Sequence, residues 1–109
     1  MMCKTLLLSQ KENIIIAQCC NCSVMNIWRD GVVMNFSFQQ FDAFYLSTRK
    51  LNFDDYLEIR PDGQEVVVLS TPFPDISLVF TRQDWQLFVE VMEEATFMKR
   101  VYELLNQES

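Results

Sequence analysis

Hydrophobic and polar positions alternate with period two along most of the chain, and twice the period lengthens to that of a helix. The apolar runs Lys4 to Leu8 and Ile14 to Cys19 flank the polar stretch Ser9-Gln10-Lys11-Glu12-Asn13, which predicts a hairpin. Val24 to Trp28 and Val32 to Phe36 flank Arg29-Asp30-Gly31, and Asp-Gly between strand-like runs is a hairpin turn signal because Gly tolerates positive φ. Tyr56 to Ile59 and Val66 to Ser70 flank a Pro-Asp-Gly turn at 61–63, and Ile76 to Phe80 completes a set of seven short strands.

Two of these strands lead into helices. After Val32, Met34 and Phe36, Ser37 caps a helix with Gln40 at the reciprocal capping-box position, and Phe41, Phe44, Tyr45 and Leu51 follow at helical spacing. After Ile76, Leu78 and Phe80, Thr81 caps, Asp84 takes the reciprocal place, and Trp85, Phe88, Val89, Met92 and Ala95 form the buried stripe. A constant offset of 44 residues lays Val32, Met34, Phe36, Phe41 and Phe44 on Ile76, Leu78, Phe80, Trp85 and Phe88. The pattern is a β-β-β-α unit met twice, over 11–51 and 55–95, by duplication or by coincidence. The expected fold class is α+β: one domain over 1–109, an antiparallel sheet of seven short strands, and two helices on one face. Val33, Val79 and the run Val66-Val67-Val68-Leu69 leave apolar atoms for the other face. Val91, Met98, Val101, Tyr102 and Leu105 form a second stripe on the last helix. Such surplus points to a protein partner or a homodimer.

Composition narrows the chemistry. The chain has 109 residues, 50% apolar, with nine Lys+Arg against fifteen Asp+Glu, and no histidine. Without histidine there is no Ser-His-Asp or Cys-His relay and no HExxH or Cys2His2 zinc site. A net charge of -6 with only isolated basic pairs, Arg49-Lys50 and Lys99-Arg100, opposes phosphate neutralisation, so no nucleic acid is expected. Arg49-Lys50 instead complements the carbonyl end of the first helix. No run approaches the roughly 20 apolar residues that span a bilayer, and Gln10-Lys11-Glu12-Asn13 interrupts the one resemblance to a signal peptide. No membrane partner is expected, and the compartment expected is the cytoplasm, with reduced thiols. Asp54, Asp55, Glu58 and Asp62 read as solvated surface, and Trp28, Phe73 and Tyr56 as packing residues.

Four cysteines carry the candidate chemistry: Cys3, Cys19, Cys20 and Cys22. Cys19-Cys20-Asn21-Cys22 contains a C-x-x-C between two strands, the turn by which zinc knuckles present two thiolates to one metal. Pairing Leu8 with Ile14 across the polar turn places Cys3 opposite Cys19, and a slip of one residue places it opposite Cys20. Either register gathers three thiols at one sheet corner. Zn2+ at Cys3, Cys19 and Cys22, with Cys20, a carboxylate, a water or a thiol from another chain as fourth ligand, is the leading expectation. Inert burial and thiol-redox or iron-sulfur work are the alternatives, and redox is disfavoured because a strand, not a helix, follows the motif. The function expected is therefore a non-enzymatic protein-interaction or regulatory module with a structural zinc. A thiol-redox or open-metal enzyme, or a structural homodimer with inert cysteines, stands as alternative.

Met2-Cys3-Lys4, the strand-ending Cys19 to Cys22 motif, and a strand running into the Phe41-x-x-Phe44 helix together resemble a group of small uncharacterised bacterial proteins carrying a domain of unknown function. The resemblance implies a bacterial cytosolic protein and supplies no activity. Ser23 stands where many of that group have Gly, and Cys20 is an addition to their motif.

Overall fold

The computed structural model describes residues 4–19 and 22–107. Four strands, β1 (Thr5–Lys11), β2 (Ile14–Cys19), β3 (Val24–Arg29) and β4 (Val32–Ser37), precede the helix α1 (Phe38–Lys50). After it come β5 (Glu58–Ile59), β6 (Glu65–Ser70) and β7 (Ser77–Phe80), and then the long helix α2 (Arg82–Gln107). All strand pairs are antiparallel, so the α+β class and the seven strands hold. The single sheet does not: β1-β2-β3-β4 form one sheet and β5-β6-β7 another. The 44-residue correspondence also stops short of the strands, because β5 has two residues where β2 has six.

The sequence explains most local choices. Asp30 and Gly31 both take positive φ, at 50° and 79°, which turns β3 into β4 with the twist a two-residue hairpin needs. The first hairpin is tighter than the polar stretch predicted. β1 continues to Lys11, and only Glu12, at φ 53°, and Asn13 form the turn. The apolar-to-polar switch at Ser9 misleads because the register shifts between Leu7 and Ser9. This bulge turns both Leu8 and Ser9 inward, and Ser9 donates to Glu94 Oε1 of α2 at 2.9 Å. Lys11 pairs with Glu90 at 3.3 Å, so α2 runs alongside the outermost strand of the four.

Both helix starts follow the reading. The Ser37 hydroxyl accepts from Gln40 N–H while Gln40 Oε1 accepts from Ser37 N–H, each at 3.0 Å. Thr81 accepts from Asp84 N–H at 3.2 Å, but the Asp84 carboxylate turns toward Arg29, 3.6 Å away.

One hydrophobic core joins both sheets and both helices. Its centre is a chain of aromatic rings. Phe36 stacks on Phe44 with centroids 5.2 Å apart, Phe44 meets Phe88 edge-on at 6.2 Å, and Phe88 meets Phe80 at 4.6 Å. Ile16, Ile27 and Met34 supply the sheet side of this core, and Val91, Met92 and Ala95 the α2 side. Arg29 joins the two sheets. Its guanidinium lies 4.3 Å from the Phe80 ring centroid and donates to the Val79 carbonyl at 3.0 Å. Of the second stripe, Val91 is buried, Met98, Val101 and Tyr102 are partly covered, and Leu105 is exposed. No helix among the described residues is long and apolar enough to cross a membrane.

Candidate functional site

The cysteine corner takes a different form from the expected one. The observed register pairs Thr5 with Cys19, so the position opposite Cys19 is not held by Cys3. The hairpin turn is two residues long rather than five, and every partner number moves accordingly. Cys19 is free and buried, and Cys22 is exposed and disulfide-bonded. Cys3 and Cys20 lie outside the described residues. The expectation that all thiols are reduced thus fails at Cys22. A sulfur in a disulfide has no thiolate lone pair to give to Zn2+, so a zinc site that uses Cys22 requires that bond to be reduced first. Among the described residues no group of three His, Cys, Asp or Glu is placed to hold a metal ion.

Cys19 belongs instead to the outer face of the four-stranded sheet. The inner rows pass through Ile16, Ile27 and Met34, and through Gln18, Met25 and Phe36. The intervening positions face outward. Ile15 lies between Gln10 and Trp28, with Val33 beyond, while Ala17 lies between Leu7 and Asn26, with Asn35 beyond; Cys19 is flanked by Thr5 and Val24. Asn26 donates to Asn35 Oδ1 at 2.7 Å across this face, which pairs two of the polar side chains that share it with the apolar ones. Leu7, Trp28 and Val33 are 53%, 49% and 40% exposed. A lone exposed Leu is ordinary, but a half-exposed Trp between two apolar row neighbours, Ile15 and Val33, is not. Sequence alternation points to Val33 on this side; the parity of a strand that starts at Val24 puts Trp28 outward as well, on the interface side of the core-or-interface packing expected of it.

Beside the edge strand β4 a hollow of about 290 Å3 opens between Val32 to Asn35 and the Phe73–Ile76 turn. Phe73 packs on Phe36 at 5.8 Å, so Trp28, Phe73 and Tyr56 do not form a common platform. Two further grooves flank α1. One, of about 390 Å3, lies between the end of α1 and β6, and the other, of about 340 Å3, continues from it along the same helix.

The carboxylates behave as solvated surface. Asp54 pairs with Arg82 at 2.7 Å, and the hydrogen bond from that guanidinium holds the Asp54 carboxyl below the usual range. The hydrogen bonds from Arg60, aided by Gln64 N–H, bring Asp62 down to about 2. Both shifts stabilise the charged form of exposed groups, the opposite of a general acid poised near neutrality. Family models, curated protein sequences and solved structures yield no match to this chain, so the reading of its surfaces stands on their geometry alone.

Proposed function

We propose that this protein is an interaction module that binds through the outer face of its four-stranded sheet, and that the occupant is a second copy of the same chain. The observation that carries the reading is the half-exposed Trp28, flanked in its row by Ile15 and Val33. Trp is among the residue types that most often dominate association energy. In this reading the core-forming helices are confined to the other face, which leaves this one for a partner. A two-fold axis near the Asn26–Asn35 pair would set each Trp28 against its partner's apolar row.

The size of the patch limits its strength. Four strands about 4.8 Å apart and six residues long give a plan area of about 400 Å2. A stable dimer buries about 800 Å2 per copy. The contact therefore has to extend over the β4 edge, where Val32 and Ile76 are also exposed. The dimer expected is a modest one, populated at micromolar concentrations.

Sedimentation velocity over a concentration series, with native mass spectrometry, tests this directly. Trp28→Glu should abolish the dimer while leaving the circular dichroism unchanged. A wild-type chain that stays monomeric at its highest soluble concentration refutes the reading.

A further inference from the structure

A second surface, independent of the outer sheet face, carries an inference of its own. β5 pairs only Glu58 and Ile59 with Val66 and Glu65, whereas β7 pairs β6 as far as Ser70. From Val68 onward the β5 side of β6 therefore has no strand of the described residues along it. In an antiparallel ladder the N–H and C=O of one residue point the same way, and successive residues alternate. The bond from Arg60 N–H to the Gln64 carbonyl, 2.8 Å, sets the parity: Gln64, Val66, Val68 and Ser70 turn their backbone groups toward the β5 side. Val68 and Ser70 thus offer donors and acceptors along an empty strand track.

α1 supplies the facing wall. Ser47, Lys50 and Leu51 oppose Val68 to Ser70 in the larger groove, and Gln40, Ala43 and Ser47 oppose Ser70 to Pro72 in its continuation. The two walls match in length. Gln40 to Lys50 rises about 15 Å along the helix, and Val68 to Pro72, strand as far as Ser70, spans at most about 13 Å. Ala43 and Ser47, one turn apart, are small enough to admit a main chain between helix and strand. The track holds about four extended residues.

We propose that this groove receives the C-terminal tail of a partner protein as an added strand, antiparallel to β6, with its α-carboxylate at Lys50. Three observations select this occupant. First, the chain from Leu57 into β5 occupies the same track beyond Val68, so an added strand has to terminate there instead of passing through. Second, Lys50 is the charged side chain in the lining of these two grooves, and it forms no ion pair with any described residue. Third, the orientation follows from the charge. An antiparallel strand brings its carboxylate to the Lys50 end, while a parallel one would set an ammonium against an ammonium. Backbone pairing then gives affinity, and capture of the free terminus gives selectivity.

The test uses the full-length protein labelled with 15N and an equimolar pool of random pentapeptides, prepared once with free C-termini and once amidated. The free-acid pool should shift the amide resonances of Val68 and Ser70, and the amidated pool should bind at least about tenfold more weakly, the loss of one charge-assisted contact. Lys50→Gln should bring the free-acid pool down to the amidated level. Ser70→Pro, which removes a backbone donor on the open edge, should abolish binding by both pools with the circular dichroism unchanged. Equal binding of acid and amide, shifts confined to other residues, or no shift with either pool each overturns the proposal. None of these readouts depends on oligomeric state, so this inference and the dimer can fail separately.

Discussion

Replacing Arg29 with Met tests how the two sheets are held together. The Arg29 side chain is only 15% exposed. It lies over Phe80 at 4.3 Å and donates to the Val79 carbonyl at 3.0 Å. Met retains the apolar stem and fills similar space, so the change removes the charge and the donors with little cavity term. A partly desolvated cation over an aromatic ring contributes about 1 kcal/mol. The hydrogen bond from a charged donor contributes about 1.5 kcal/mol. The 3.6 Å approach to Asp84 adds at most about 0.5 kcal/mol, because nearly half of that carboxylate is in solvent. Against these stands the buried Nε, which has no hydrogen-bond partner among the described residues and whose removal returns about 1 kcal/mol. The net loss is about 2 kcal/mol. At about 0.23 kcal/mol/K of unfolding entropy for a chain of this length, Tm should fall by about 9 °C. Urea unfolding at low and high salt is the assay. The midpoint should drop in both, since the ring and carbonyl contacts are screened less than the Asp84 pair. A change below about 0.5 kcal/mol, the scatter of ordinary surface substitutions, would show that Arg29 merely decorates the junction.

Other consequences are open to measurement. Phe88→Ala removes a fully buried ring that touches Phe44, Phe80 and Trp85, and should cost about 3–5 kcal/mol in chemical denaturation; a cost under 1 kcal/mol would contradict the shared core. Ser37→Ala deletes one arm of the first capping box and should cost about 1 kcal/mol, read by the same assay, with Ser37→Gly costing only slightly. Because the folded-state value of Asp62 lies below its unfolded one, its stabilising contribution is complete above the ordinary carboxylate range and disappears as pH falls through about 2. Carboxyl NMR should place its midpoint there, and a midpoint near 3.8 would dissolve the Arg60 pair as its cause. Cys19, free and buried, should be alkylated only as the native state opens; labelling as fast as an exposed thiol would place it at the surface.

Local interactions were legible in the chain itself. The seven strands, the Asp30-Gly31 hairpin, the Ser37 and Thr81 caps and the two helical stripes all depend on residues within a few positions of one another, where side-chain period and turn chemistry leave little choice. What the sequence left open involves distance or register. The two-residue turn at Glu12-Asn13 moved every pairing of the first hairpin and, with the bulge at Leu8, put Thr5 in place of Cys3 opposite Cys19, because hydrophobic alternation reveals neither a strand that continues through polar residues nor an extra residue that still points inward. That Cys22 is disulfide-bonded, where reduced thiols were expected, was not encoded in the spacing of the C-x-x-C. The split into two sheets, the clasp of Arg29 on Phe80 and the open edge of β6 beside Lys50 were likewise decided by tertiary structure alone. Each brings together segments that are remote in the chain, and no local preference encodes where a strand ends up lacking a neighbour.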